Sequence, residues 1–251
     1  MSGLIKVQGV VLSTMPIGDY DKRMVLLTKE RGKISAFARG ARKPNSPYMA
    51  AVNSFVFGEF TLYEGRNSYT LKEVAPLHQF VELAAAQPEV YYGYYFLELA
   101  DYFGREGTDE KGMMNLLYVS VKALLNPGID NRLIRCVFEL RTMAEQGLCP
   151  QLFHCVSCGK KQEEKVFFSM ESGGILCSDC AAGKKKMSQV SADALYTMRY
   201  IISEQMGKLY TFRVSESVLK ELEEIISVYL RYYVEKKMKS LEILKMMCRN
   251  I

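Results

Sequence analysis

The sequence predicts an α+β chain of more than one domain: a five-stranded β-barrel at residues 1–80, then a mostly α-helical region at 81–251 with a four-cysteine insertion at 150–187. Three observations predict it. Five short apolar runs, parted by Gly, Pro, Asn and Asp, fill the first eighty residues. After Pro76 the apolar spacing changes from the alternation of strands to the 3- and 4-residue steps of helices. Two Cys-x-x-Cys pairs, Cys155-Val-Ser-Cys158 and Cys177-Ser-Asp-Cys180, stand eighteen residues apart.

The first strand follows Ile5 through Val7, Val10, Val11 and Leu12, and Pro16, Gly18 and Asp19 punctuate it. Residues 24–28 form the second run, and Glu30-Arg31-Gly32 turns into the third at 34–38. Residues 39–48 carry Gly40, Pro44, Asn45, Ser46 and Pro47 and read as a loop. Residues 52–63 alternate with Phe55, Phe57, Phe60 and Tyr63; Glu64-Gly65-Arg66-Asn67 turns, and 69–74 closes the set. Such a set suits a small barrel of either the OB or the SH3-like kind, and periodicity does not separate them.

A short helix is expected at 77–86. Residues 89–103 are apolar almost all round, with Tyr91, Tyr92, Tyr94, Tyr95, Phe96, Leu97 and Leu99, the pattern of a buried helix. A helix at 112–125 stops at Asn126-Pro127-Gly128. Residues 131–146 put Leu133, Val137, Leu140 and Ala144 on one face, with Gly147 as the stop. Helices resume at 191–205, 215–237 and 240–247. The middle one places Val218, Leu222, Ile225, Ile226, Tyr229 and Tyr233 on one face and sets Glu216 one turn before Lys220. No apolar stretch is long enough for a membrane span, so none is expected.

Each Cys-x-x-Cys pair can turn two thiolates towards one ion, and two pairs supply four soft ligands, the donor set of zinc. Four protein ligands leave no open coordination position. The expected Zn2+ is therefore single and structural, held by Cys155, Cys158, Cys177 and Cys180. A strand at 166–170 and a turn at Ser172-Gly173-Gly174 would make a hairpin between the knuckles, as in a zinc ribbon. Two disulfides, or a thioredoxin-type dithiol, fit less well. Residues 1–7 show no signal-peptide pattern, and no βαβ pattern surrounds the cysteines. His154 could replace one thiolate, although a loop role suits it better. Cys136, Cys149 and Cys248 have no spacing partner.

The net charge of +5 is unevenly placed. Residues 1–80 carry eleven Lys or Arg against six Asp or Glu, whereas 81–251 carry twenty-two of each. That asymmetry suits an anionic partner, with nucleic acid the first candidate. An OB-type barrel takes its ligand across strands two and three, between the loops after strands one and four. Lys22 and Arg23 open strand two, Lys33 begins strand three, Arg39, Arg42 and Lys43 leave it around Gly40, and Arg66 follows strand four. Such cations track phosphates, and Gly40 permits the positive φ that turns backbone N–H groups towards one. Tyr20, Phe37, Tyr48 and Tyr63 are candidate stacking rings, each against the alternative of a core aromatic. Catalysis has little to work with. There is no phosphate-binding P-loop, no G-x-G-x-x-G and no G-x-S-x-G, and the only histidines are His78 and His154. The pairs Glu163-Glu164 and Glu223-Glu224 lie in charged stretches and read as solvated surface. A non-enzyme is expected.

Three segments resemble the RecO family of bacterial recombination and repair mediators. The first is Gly18-Asp19-Tyr20-Asp21 with Leu26-Leu27-Thr28 and Gly32-Lys33-Ile34. The second is Ala38-Arg39-Gly40-Ala41-Arg42-Lys43-Pro44. The third runs from Phe138-Glu139-Leu140-Arg141 through Gly147-Leu148-Cys149-Pro150 to Cys155 and Cys158-Gly159. The likeness spans the chain in order. It implies an N-terminal OB-fold domain, a helical C-terminal domain with an inserted zinc element, and a cytoplasmic, nucleoid-associated protein. It implies binding of single- and double-stranded DNA, annealing of complementary strands, and action with RecR to help the RecA recombinase displace single-strand-binding protein (SSB). It further implies that the acidic C-terminal tail of SSB docks on the helical domain. There Arg132 and Arg135, about 60° apart around their helix, could flank an apolar groove; two solvated helix cations are the plain alternative. Lys160, Lys161 and the lysines at 184–186 could face a partner or DNA. The rival reading is a zinc-ribbon/OB adaptor of transcription or RNA metabolism, which DNA-versus-RNA preference and a strand-annealing assay would separate.

Overall fold

The computed structural model describes residues 3–66, 68–161, 165–184 and 187–248. In chain order the elements are β1 (Leu4–Ile17), β2 (Asp21–Thr28), β3 (Gly32–Ala38), β4 (Val56–Glu64), β5 (Tyr69–Gln79), α1 (Glu89–Phe103), α2 (Lys111–Leu124), α3 (Asn131–Glu145), β6 (Val166–Ser169), β7 (Gly174–Cys177), α4 (Ser178–Ala181), β8 (Ser188–Val190), α5 (Ala192–Ser203), α6 (Glu216–Tyr233) and α7 (Lys239–Met247). They form two compact units, one built from the chain up to Leu125 with the segment from Met238, the other from Asn126–Lys237.

The first unit holds a closed barrel in the order β1-β2-β3-β5-β4, the five-stranded Greek-key arrangement of an OB fold. β4 pairs antiparallel with β1, and a short parallel pairing of Ala36 with Tyr69 and Phe37 with Thr70 joins β3 to β5. Alternation along the strands drives this closure. Val7, Val11, Met24, Leu26, Ile34, Ala36, Phe60, Leu62 and Leu71 all point into one core. Burying a side chain such as Phe60 or Leu26 contributes about 1.5–3 kcal/mol.

Two strands outrun their apolar patterns. β1 continues through Pro16, and β5 continues through Pro76 to Gln79. Pro76 lies opposite Gly58 beside a bulge, a place where a missing N–H is tolerated. The helix expected at 77–86 shrinks accordingly to a 3-10 turn at Val81–Ala85. α1 buries Tyr92, Tyr95, Phe96, Leu97 and Leu99, as its all-round apolar character requires. α7 belongs to this unit because Glu98 of α1 caps it. The carboxylate accepts the Ser240 N–H at 2.8 Å, placing negative charge at the helix N-terminus.

In the second unit α3, α5 and α6 pack on one another beside a three-stranded sheet of order β7-β6-β8, whose Phe168 meets Tyr229 of α6 edge-on. Ser191 and Ser215 are N-caps, accepting from the N–H groups of Ala194 (3.2 Å) and Val218 (3.4 Å). The helices therefore begin one residue later than the sequence pattern suggests. α6 buries Val218, Leu222, Ile225, Ile226 and Tyr229 along the stripe read from the sequence. β8 is three residues long and has no sequence signature; pairing with β6 creates it. Among the described residues no helix is long and apolar enough to cross a membrane.

Candidate nucleic-acid interface and metal centre

One end of the barrel gathers cations from two chain segments. Lys22 and Arg23 open β2, and Lys22 lies opposite Ala38 at the end of β3. Arg39, Arg42 and Lys43 follow immediately. Gly40 takes φ +67°, and its N–H donates to Asp21 Oδ1 at 2.7 Å. The Arg42 N–H donates to the Tyr20 carbonyl at 2.8 Å, and its guanidinium donates to the Gly18 carbonyl at 3.1 Å. These bonds hold the loop after β3 against the β1–β2 turn. Lys22, Arg39, Arg42 and Lys43 thereby gather at that end, while Arg23, the next residue of the strand after Lys22, faces the outer side of the sheet.

Their partners are mostly neutral. Lys22 donates to Asn53 Oδ1 at 2.8 Å, and Arg23 to Ser35 Oγ at 2.9 Å. Lys43 stands 5.7 Å from the centre of the Tyr20 ring. Arg39 is exposed and has no hydrogen bond or ion pair among the described residues. Burial, and then the charge of Arg42, pull the Lys22 ammonium below its ordinary pKa. Crowded like charges of this kind favour an anion.

The sequence grouped Lys33 with these cations, and the structure places it apart. It sits opposite Leu27 at the far end of β3, roughly 16 Å of strand from Ala38. Its ammonium donates to the Asp101 carbonyl and lies 3.5 Å from Asp101 Oδ1. It lines a cleft of about 460 Å³ on the outer face of β2 and β3, with Arg23 and Ser35 but also Asp101 and Glu106. Carboxylates make that end a poor seat for phosphate. Arg66 is exposed in the β4–β5 turn, two residues before Ser68, which lines the same cleft.

Of the four candidate rings, Tyr20 and Tyr63 are 52% and 45% exposed. Tyr48 packs on the core and donates to the Lys72 carbonyl at 2.6 Å, while Phe37 is half-buried opposite Arg23. Asn53, which accepts from Lys22, and Lys72, 5.7 Å from the centre of the Tyr63 ring, are neighbours that sequence reasoning missed. A polar loop residue and a lysine in a strand carry no local signal.

Arg132 and Arg135 face α6. Arg132, with 18% of its side chain exposed, donates to Glu216 Oε1 at 3.1 Å and to Asp130 Oδ2 at 3.3 Å. Its pKa is raised above the ordinary value, chiefly by Glu216. Arg135 is buried and donates to Glu223 Oε1 at 2.8 Å, with Glu139 3.8 Å away. Burial raises the Glu223 carboxyl and outweighs the two arginines that lower it. The sequence pattern reads Glu223 as solvated surface; with 16% of its side chain exposed, it instead pairs with both Arg132 and Arg135. Glu163 and Glu164 lie outside the described residues.

The sulfurs of Cys155, Cys158, Cys177 and Cys180 all lie within 4.8 Å of one another, with Cys158 and Cys177 at 3.9 Å. Tetrahedral zinc with bonds of about 2.3 Å sets sulfurs roughly 3.8 Å apart, so the four fit one such ion. The first knuckle is closed by Gly159 N–H to the Cys155 carbonyl at 2.8 Å, with Gly159 at φ +72°. The second joins the end of β7 to α4. Burial acts to raise the Cys155 thiol, but the amides of Cys177, Cys158 and Ser157 outweigh it and bring it to about 6. The neighbouring Cys177 sulfur pushes the Cys180 thiol the other way, up to about 12, and a bound ion requires all four sulfurs as thiolates. His154 stays outside the cluster and bridges to Lys161. The lysines at 185 and 186 lie outside the described residues.

Residues 1–80 match the family model described as Recombination protein O N terminal, and residues 88–242 that described as Recombination protein O C terminal. The DNA repair protein RecO of Alkaliphilus metalliredigens is 30% identical over 243 residues, covering 96% of this chain and 99% of that protein. Its counterpart in Desulforamulus reducens is 32% identical over 240 residues, 95% and 93% of the two chains. That of Symbiobacterium thermophilum is 31% identical over 244 residues, 96% of each.

Proposed function

Because the chain belongs to the RecO family of DNA repair proteins, we propose that its barrel binds single- and double-stranded DNA through Lys22, Arg23, Arg39, Arg42 and Lys43, with Arg66 on a neighbouring turn. The observation that carries this reading is the gathering of Lys22, Arg39, Arg42 and Lys43 at one barrel end without a carboxylate partner among the described residues, with Arg23 on the adjoining outer face. A phosphate seated there relieves the repulsion between Lys22 and Arg42 and releases counterions. Two strands held at close quarters repel each other less, so complementary bases can pair. Annealing of this kind makes and breaks no covalent bond, and the protein acts as a mediator without enzymatic chemistry.

In the same reading the protein works with RecR to help RecA replace SSB on single strands, in the bacterial cytoplasm at the nucleoid. The SSB tail docks on the helical unit. Arg132 takes part by exchanging the exposed Glu216 for a tail carboxylate, whereas buried Arg135 only supports the fold. Zn2+ is held by Cys155, Cys158, Cys177 and Cys180 and ties β7 and α4 to the first knuckle.

Arg39→Ala combined with Arg42→Ala tests the interface. Removing two phosphate contacts should lower the slope of log affinity against log salt by about 1.4 for single strands, with the weakening largest in dilute buffer. An unchanged slope, measured by anisotropy of a labelled oligonucleotide, would put the interface elsewhere.

A further inference from the structure

Two tyrosines on the barrel keep about half their surface in solvent, and each has a lysine 5.7 Å from its ring centre. Tyr20 with Lys43 belongs to the cation cluster. Tyr63 with Lys72 lies elsewhere, on β4 and β5. β5 is irregular there: Leu62 faces Leu71 and Thr61 faces Glu73, so Lys72 is an extra residue without a cross-strand partner. A bulge of this kind re-aims the side chain it carries, and the ammonium comes over the ring. Leu4, 49% exposed, is the cross-strand neighbour of Tyr63 on β1. Of the nearby carboxylates, Glu59 is matched by Lys6 at 3.0 Å and Glu64 by Arg31 at 3.7 Å, while the exposed Glu73 follows Lys72 directly. An apolar shoulder, a half-exposed ring and a cation are left together.

One loop joins the two tyrosine–lysine pairs. Between β3 and β4, the Arg42 N–H is bonded to the Tyr20 carbonyl and the Tyr48 hydroxyl to the Lys72 carbonyl. Lys43 and Tyr48 are five residues apart, at most about 18 Å of chain.

We infer that Tyr63 and Lys72 form a second subsite for single-stranded DNA: a base stacks on the Tyr63 ring beside Leu4, and Lys72 meets the adjoining phosphate. The strand runs from Tyr20 and Lys43 along the loop to this edge. The inference rests on the nucleic-acid reading above and adds selectivity to it. Cations hold the phosphates of single and double strands alike. Only an unpaired base has a free face for a ring, so Tyr63 favours single strands.

The protein contains no tryptophan, so Tyr63→Trp introduces a single indole reporter. Its emission should be quenched by oligo-dT. A fully abasic oligomer of equal length keeps the phosphates and should bind without quenching. Tyr63→Ala with Lys72→Ala should weaken single-strand binding by about tenfold and duplex binding less than twofold, and Tyr63→Phe should retain single-strand affinity. Unquenched emission while anisotropy reports bound oligo-dT overturns the subsite and leaves the barrel interface standing. If the unsubstituted protein binds no strand even in dilute buffer, both readings fall.

Discussion

Asp21 Oδ1 accepts the backbone N–H of Gly40 at 2.7 Å. This bond fastens the loop bearing Arg39, Arg42 and Lys43 to the start of the strand bearing Lys22 and Arg23. Gly40 is required there because φ +67° is left-handed backbone, and the space around its Cα is open enough that strain alone would resist a side chain.

Asp21→Ala should therefore loosen the cluster without removing any cation. A hydrogen bond to a charged acceptor contributes about 1.5–3 kcal/mol, and part of that is recovered here by water. Oligonucleotide affinity should fall several-fold while the salt slope is retained. Gly40→Ala should cost about 1–2 kcal/mol of stability, read by urea denaturation, with a comparable loss of affinity.

Lys33→Ala should leave both oligonucleotide affinity and its salt slope within twofold of the parent, because Asp101 already holds that ammonium. Arg39→Ala, which removes an exposed guanidinium that has no ion pair among the described residues, should weaken binding clearly under the same conditions. Equal effects of the two substitutions would contradict the placement of the interface at the Arg39 end.

Arg135→Ala should destabilise the helical unit by about 3–5 kcal/mol, since buried Glu139 would lose its guanidinium and Glu223 would keep only Arg132 at 3.6 Å. Arg132→Ala removes ion pairs to the exposed Glu216 and Asp130 and a 3.6 Å pair to Glu223, which Arg135 still holds, and should cost less than Arg135→Ala. Thermal unfolding distinguishes the two.

Elemental analysis of the purified protein should find one zinc per chain. Cys177→Ser or a strong chelator should remove it and lower the unfolding temperature of the helical unit. The barrel has a separate core, so its oligonucleotide binding should persist. Acid should also release the metal, because the four ligands bind as thiolates.

Lys22 gives a pH signature. Its folded pKa lies below 10.5, so between the two values the unfolded chain holds more protons than the native one. Stability then rises with pH through the window just under 10.5, as a charge disfavoured first by burial and then by Arg42 is lost. Lys22→Met should flatten that rise and slightly raise the melting temperature at neutral pH while weakening oligonucleotide binding. A melting temperature unchanged at both pH 7 and pH 10 would show that Lys22 is not under strain.

Local sequence determined much of this protein. Strand alternation placed Leu26, Ile34 and Phe60 in a core, helical spacing placed Leu222 and Ile225 on one face, and two cysteine pairs announced a site for one ion. Each of these signals depends on residues close together in the chain. Tertiary structure decided which charges remain available. Lys33 meets Asp101 across 68 residues, Arg132 meets Glu216 across 84, and Lys72 reaches Tyr63 through a bulge that no composition marks. A cation's freedom depends on which carboxylates folding brings beside it, and those neighbours are set by strand register and helix packing between residues far apart in the chain.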